Sequence, residues 1–311
     1  MCRHLAYLGP PVSLRSLLYD PPYGLPRQSW APRDMRGGGT INADGFGIGW
    51  YPGGGDPVRY RRARPLWSDT TLPELAAVTV AGAVLAAVRS ATVGMPVQET
   101  AAAPFAEGRW LFSHNGVVRG WPDTVVPLAA GLPVRDLLTL DAPTDAALLW
   151  ALVRHRLRAG EDPAAAVAGT VAAVAAAAPG SRLNLLLTDG VTVVASVAGH
   201  ALSVRRTPES VLLASEPLDD DPGWRAVPDG RLVVATATGL HSRDLAVAGR
   251  DALPAGTGVR ATEGTAHERG ATGDLPGGAG PRPRPAGGRP VRADGAAEVA
   301  AAEVVLRRPG Q

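Results

Sequence analysis

Met1-Cys2-Arg3-His4-Leu5-Ala6-Tyr7-Leu8-Gly9 is the stretch that decides how the rest of the chain is read. Cys2 is the only cysteine, and removal of Met1 would leave its thiol and a free α-amine on one residue. A free α-amine titrates near ~8 and a thiol near ~8.5, so the amine can take the thiol proton at neutral pH without a distant histidine. A cysteine behind an initiator methionine is otherwise a chance residue at a frayed end. The residues that follow argue against chance here. Arg3 to Gly9 alternate and are rich in apolar side chains, the pattern of a strand, and a strand ties the terminus down.

Outward from that strand, 311 residues with 45% hydrophobic content suffice for a substantial core in one large domain or two smaller ones. Lysine is absent, which excludes a lysine nucleophile or Schiff base. The net charge is only +2, and the densest basic run, Arg59 to Arg64, holds four arginines, so nucleic acid is not an expected partner. One cysteine forms no internal disulfide and no cysteine-rich zinc site, and the six histidines are scattered without metal-ligand spacing. No basic-then-apolar leader opens the chain, and the longest apolar stretch, 164–178, is alanine-dominated with a helix start at Asp162-Pro163, so no membrane segment is expected. The expectation is a cytoplasmic protein.

A short helix is expected over Ser13 to Leu18, followed by a long Pro/Gly/Arg-rich loop from Pro21 to Gly39. Phe46 to Tyr51 and Val58 to Arg61 read as a hairpin; Ala81 to Val88 and Trp110 to Phe112 read as buried strands. Asp145 to Leu157 carries apolar residues at helical spacing, and a second helix runs from Asp162-Pro163 to Pro179-Gly180. Six short strands follow between Leu183 and His241, the first two joined by the turn signal Asp189-Gly190. Strands, then helices, then strands again predict an α+β fold with two sheets enclosed by helices. The domain is expected over residues 1–253. From about Pro254 the composition turns to Gly, Pro, Arg and Ala, and 254–311 is expected to be a disordered tail, with a transient helix at most over 296–306.

Four patches could equip a thiol nucleophile. Ser113-His114-Asn115-Gly116 reads locally as a hairpin turn; functionally, the Asn115 amide and the Gly116 N–H would point at a developing oxyanion. Arg89, ending an apolar strand, is either a surface charge or a fork for a carboxylate. Thr144-Asp145 is either a helix cap with an acid in the first turn or a carboxylate fixed to hold an ammonium group. Asn42 to Trp50 alternates glycines without the spacing or the following helix of a nucleotide loop; its glycines are expected to let a strand pass close to another backbone or a ligand.

Cys2, Arg89 to Thr92, Asn115-Gly116 and Asp145, in that order and at these separations, resemble the class II (N-terminal nucleophile) glutamine amidotransferase family. The resemblance implies a four-layer αββα sandwich. It also implies Cys2 as nucleophile with its own α-amine as base, Arg89 on the glutamyl α-carboxylate, Asp145 on the α-ammonium, and Asn115 with Gly116 at the oxyanion, with His114 in the substrate-binding set. No cofactor, no metal and no obligatory synthase partner is implied for the small-molecule γ-glutamyl substrate. The wider family has Gly after the cysteine and Trp after the arginine; Arg3 and Ser90 stand here, which points away from glutamine itself. The finer wording, Cys-Arg-His-Leu-Ala-Tyr-Leu-Gly and Phe-Ser-His-Asn-Gly, resembles the ergothioneine-pathway branch. That branch implies a leaving amine carrying a trimethylammonium, an imidazole and a carboxylate, for which Trp30, Trp50, Trp67, Trp121 and Tyr7 are candidates, under a loop containing Gln28, Ser29, Trp30, Arg33 and Arg36. A general γ-glutamyl hydrolase, a glutaminase and a silent binding module that keeps Met1 remain open alternatives.

Overall fold

Alternation sorts the apolar residues of the first strand onto two faces, and the packing of the whole molecule follows that sorting. The computed structural model describes residues 2–34, 41–53 and 55–245. Its strands, in chain order, are β1 (Arg3–Ser13), β2 (Phe46–Trp50), β3 (Val58–Arg62), β4 (Val80–Val88), β5 (Phe105–Glu107), β6 (Trp110–Val117), β7 (Arg182–Thr188), β8 (Val193–Val197), β9 (Ser203–Arg206), β10 (Val211–Ala214), β11 (Arg225–Ala226), β12 (Arg231–Ala235) and β13 (Leu240–Asp244). They form a seven-stranded sheet, β11-β9-β10-β1-β4-β2-β3, and a six-stranded sheet, β13-β12-β8-β7-β6-β5. The helices are α1 (Leu14–Leu18), α2 (Leu25–Gln28), α3 (Leu72–Val78), α4 (Val126–Ala130), α5 (Val134–Leu138), α6 (Asp145–Arg158) and α7 (Pro163–Ala177).

Three hydrophobic clusters mark the three interfaces of a four-layer αββα sandwich. Leu5 and Tyr7 of β1 join Val84 and Ala86 of β4 and the apolar faces of α1 and α3. Ala6 and Leu8, on the opposite face of β1, meet Leu85, Leu111, Leu186, Ala195 and Leu213 between the two sheets. Phe112, Leu185 and Leu187 turn the other way and pack under α6 and α7. Because side chains alternate with period two, one strand serves two interfaces at once.

The glycine alternation of β2 belongs to this layering. Phe46, Ile48 and Trp50 fill the outer cluster, and the glycines face the second sheet. A Cβ on Gly47 would stand 2.3 Å from the Ala103 carbonyl oxygen, and one on Gly49 would stand 2.6 Å from Leu111 Cδ1. The expected close passage of one backbone past another is therefore met.

Local signals set the helix starts. Ser13 Oγ accepts from Ser16 N, Thr144 Oγ1 from Ala147 N, and Asp162 Oδ1 from Ala164 N and Ala165 N. Asp189-Gly190 is the expected hairpin turn, with Gly190 at φ +89°.

Two expectations need correction, and one of the two readings of Arg89 falls away. Ser113 to Gly116 is neither a turn nor the sequel to a strand: β6 continues through it, pairing Asn115 with Asn184 and Gly116 with Leu183. The pairing offered by β7 outweighs the local turn preference of Asn-Gly. The Pro21–Gly39 segment contains α2, and Gln28 and Ser29 are fully buried, bonded to Tyr23 O and Pro26 O, so they cannot reach a substrate as part of a closing loop. Arg89 is 8% exposed and is no surface charge. Arg36, the 254–311 tail and the 296–306 helix lie outside the described residues. No helix among the described residues is long and apolar enough to cross a membrane.

Candidate active site

Cys2 stands directly before β1, where Arg3 pairs with Val88 of β4. Phe46 of β2 pairs with the same Val88 from the other side. The half-buried nucleophile candidate is thus fixed at the point where β4 ends and Arg89-Ser90 turns away, with its Sγ 3.8 Å from Ser90 O. The buried Arg3 guanidinium donates to Cys2 O at 3.1 Å and to Asp34 O.

Arg89 is held through its backbone: its N–H donates to Gly45 O and its carbonyl accepts from Asp44 N. Its Nη1 donates to Pro96 O at 2.9 Å, and the Asp44 carboxylate caps Ala91 N at 2.8 Å. Only carbonyl oxygens meet this buried guanidinium among the described residues, so its charge has no carboxylate partner there. Asp145, 6% exposed at the start of α6, is oriented by two backbone donors, Val118 N at 3.0 Å and Ala146 N at 2.7 Å. The cap reading and the site reading of Thr144-Asp145 hold together: Thr144 caps the helix, and Asp145 lines the same cleft as Cys2 and Arg89. An unpaired cation and an oriented carboxylate in one cleft match an α-amino acid zwitterion. Phe46, Val88, Met95 and Phe105 supply its apolar wall.

Gly116 lines this cleft too, and the hydrogen bonding of β7 fixes where its N–H points. Leu183 directs its N–H to Ala198 O and its carbonyl to Ser196 Oγ, both toward β8. In an antiparallel ladder the N–H and C=O of a residue point the same way, so the Gly116–Leu183 pair is a non-hydrogen-bonded one. The Gly116 N–H therefore faces away from β7. On that side β5 has already ended, its last pairing on β6 being Phe105 with Phe112. Among the described residues this leaves a backbone donor without a partner in the cleft that Cys2 lines, the arrangement an oxyanion hole needs.

Asn115 is placed differently. It is 1% exposed, points between the sheets, and donates from Nδ2 to Ser215 Oγ at 3.2 Å, while its Oδ1 has no partner among the described residues. It does not line the cleft with Cys2, Arg89, His114, Gly116 and Asp145. Ser215, which sequence reasoning missed, is a hub: its Oγ also accepts from His4 N at 3.0 Å and donates to His4 O at 3.2 Å. It joins Asn115 to the strand that carries Cys2. His114 lines the cleft and its Nε2 lies 3.0 Å from Arg182 O.

The histidine nearest the nucleophile in sequence is no base for it. Burial, aided by His114, His200 and Arg3, pushes His4 down to about 3, so it stays neutral, with Nδ1 3.2 Å from Ser113 Oγ. None of the proposed aromatic candidates lines the cleft. Trp50 and Tyr7 are core residues, Trp121 packs against the helical layer of the second sheet, and Trp30 and Trp67 are solvent-exposed. No group of three or more potential metal ligands occurs among the described residues.

With this geometry in view, comparison with known proteins is informative. The family model described as glutamine amidotransferases class-II matches residues 26–210. The chain is 44% identical over 234 residues to a gamma-glutamyl-hercynylcysteine sulfoxide hydrolase of Mycolicibacterium smegmatis, covering 75% of this chain and 95% of the relative. It is 44% identical over 241 residues to the protein of the same name from Mycobacterium tuberculosis, covering 77% and 95%. Among solved structures, a glutamine aminotransferase class-II domain protein from Silicibacter pomeroyi superposes with a TM-score of 0.58 at 25% identity, over 78% of this chain and 99% of that one. The glutamine phosphoribosylpyrophosphate amidotransferase of B. subtilis shares the fold, with a TM-score of 0.57 at 16% identity over 78% of this chain and 49% of that one.

Proposed function

The chain belongs to the class II glutamine amidotransferases, and from that premise we infer that it hydrolyses the γ-glutamyl amide bond of γ-glutamyl-hercynylcysteine sulfoxide in ergothioneine biosynthesis. The observation that carries the reading is the meeting of Cys2, Arg89, Gly116 and Asp145 at one cleft, in a chain 44% identical to hydrolases named for that substrate.

Once Met1 is removed, the α-amine of Cys2 takes the thiol proton, and the thiolate attacks the γ-carbonyl carbon. The Gly116 N–H meets the resulting oxyanion; for Asn115 to be the second donor, its amide, held on Ser215 Oγ outside the cleft lining, must turn its other Nδ2 hydrogen toward the oxyanion when substrate binds. Arg89 holds the glutamyl α-carboxylate and Asp145 the α-ammonium, which places the γ-carbon over the sulfur. The ammonium of Cys2 returns its proton to the leaving nitrogen as the C–N bond breaks, releasing hercynylcysteine sulfoxide. Water then attacks the thioester with the same amine as base, and glutamate leaves with the thiol restored.

The reaction needs no cofactor, metal or synthase partner, and the reactive thiol suits the reducing cytoplasm. The test compares kcat/KM on glutamine, γ-glutamylalanine and the sulfoxide conjugate for protein whose intact mass shows Met1 removed. A preference of at least a hundredfold for the conjugate, abolished in Cys2→Ala, is expected. Equal rates on all three substrates would sink the assignment, and full turnover by Cys2→Ala would sink the mechanism.

A further inference from the structure

The strand that carries the nucleophile is also gripped along its other edge, where a buried carboxylate, Glu216, lies outside the cleft lining. β10 pairs with β1 in the register Leu5 with Ala214 and Ala6 with Leu213, and Ser215 N continues the ladder by donating to His4 O at 2.9 Å. One more step of the same register sets Glu216 across from Arg3, which then stands between Glu216 and its β4 partner Val88. Arg3 is 3% exposed and Glu216 2%. Opposite charges facing each other across neighbouring strands attract, and burial removes the water that would screen them.

Glu216 reaches Arg3 by a second route, through the backbone of residues 33 and 34. Its Oε2 accepts from Arg33 N at 2.9 Å and from Asp34 N at 2.7 Å. Asp34 O in turn accepts from Arg3 Nη2, and Arg3 Nη1 donates to Cys2 O at 3.1 Å. That last bond is the main-chain hold on the nucleophile. Among the described residues no backbone-to-backbone hydrogen bond reaches Cys2, and its Sγ lies 3.8 Å from Ser90 O. Once Met1 is gone, Cys2 is a chain end placed ahead of its strand, and the Arg3 fork is what limits its freedom. The two carbonyls on that fork bring no negative charge. Burial pulls the Arg3 pKa down, and the charges of Glu216 and then Asp34 oppose it.

We propose that Glu216 is a positioning residue for the nucleophile: by fixing residues 33 and 34 and facing Arg3, it keeps the Arg3 fork on the Cys2 carbonyl and so sets where the thiol and α-amine stand. The inference rests on the reading of Cys2 as nucleophile given above. Arg89 and Asp145, which hold the glutamyl end, are not part of this chain of contacts. Its loss therefore acts on kcat and spares KM, and it acts alike on every γ-glutamyl substrate.

The experiment measures kcat and KM on γ-glutamylalanine and the sulfoxide conjugate for wild type, Glu216→Gln, Arg3→Met, the double variant and Arg3→Lys. Thermal unfolding and iodoacetamide titration of the single thiol put each rate on a folded-site basis. A misplacement of about 1 Å at a reacting atom can cost on the order of a hundredfold, so each single variant should lose at least about tenfold in kcat on both substrates, with KM within about threefold. If Glu216 acts through Arg3, adding Glu216→Gln to Arg3→Met should change kcat by less than about twofold. Arg3→Lys keeps a cation opposite Glu216 but cannot fork two carbonyls, so it tests the bridge even where Glu216→Gln fails to fold. Wild-type kcat in folded Glu216→Gln or in Arg3→Lys overturns the proposal. So does a double variant whose loss is the product of the two single losses, because Glu216 would then act apart from Arg3. Full turnover by Cys2→Ala removes the nucleophile reading and this inference with it, whereas equal wild-type rates on the two substrates sink the substrate assignment alone.

Discussion

Gly116→Ala tests the oxyanion donor most directly. A Cβ at this position would stand 1.8 Å from the Arg182 carbonyl oxygen and 2.6 Å from His114 Nε2. Real Cβ contacts do not fall below 3.0 Å, so β6 must move from the β7 backbone by more than about 1 Å. The displacement acts at the residue whose N–H faces the cleft, and a hydrogen bond lengthened by that much is lost. Loss of one oxyanion donor costs on the order of 10²–10³ in kcat, or roughly 3–4 kcal/mol of transition-state stabilisation. The overpacking itself should lower stability by about 1–3 kcal/mol. The assay is steady-state hydrolysis of the γ-glutamyl conjugate beside two controls, the thermal unfolding curve and the rate of Cys2 alkylation by iodoacetamide. The expected pattern is a folded protein with an alkylation rate near wild type, KM within about threefold, and kcat down at least a hundredfold. A folded variant with kcat within threefold of wild type would refute the reasoning, because the Gly116 N–H could then not be the donor.

Ser215→Ala removes the acceptor for two buried donors, Asn115 Nδ2 and His4 N. At about 1–3 kcal/mol for each orphaned group, it should lower the unfolding free energy by roughly 2–6 kcal/mol in denaturant titrations. Its kcat should fall about tenfold with little change in KM if Ser215 orients Asn115; a loss of stability with unchanged kcat would reduce it to a structural residue. The pH dependence of stability has a definite sign. Burial comes first among the causes that push both His4 and His200 down to about 3, so the folded protein keeps them neutral while the unfolded chain binds protons near 6.5. Their contribution is complete above pH 6.5 and is lost as pH falls from there toward 3, at about 1.4 kcal/mol per pH unit for each histidine. Guanidinium titrations at pH 7.5, 6.0 and 5.0 should show it, and equal stability at pH 7.5 and 5.0 would contradict it.

What could be read ahead of the structure was whatever is written in local periodicity. Alternation in Arg3 to Gly9 announced a strand, and the same alternation assigned Leu5 and Tyr7 to one layer and Ala6 and Leu8 to the next. Asp162-Pro163 and Asp189-Gly190 marked a helix start and a turn because caps and turns are decided within a few residues. Asn115-Gly116 misled for the same reason: the pair is a strong turn signal by itself, and only β7, nearly seventy residues later, makes it strand. The contacts that give the site its form are of this distant kind. Ser215 meets His4 across 211 positions and Asn115 across 100, and no spacing rule joins them. Arg3 makes another such distant contact. Where the wider family has glycine after the nucleophile, this chain buries a guanidinium that ties the Cys2 carbonyl to the Asp34 carbonyl. Glycine at that position could make no such bridge, so the departure from the family pattern ties the backbone of the nucleophile to the segment that ends at Asp34.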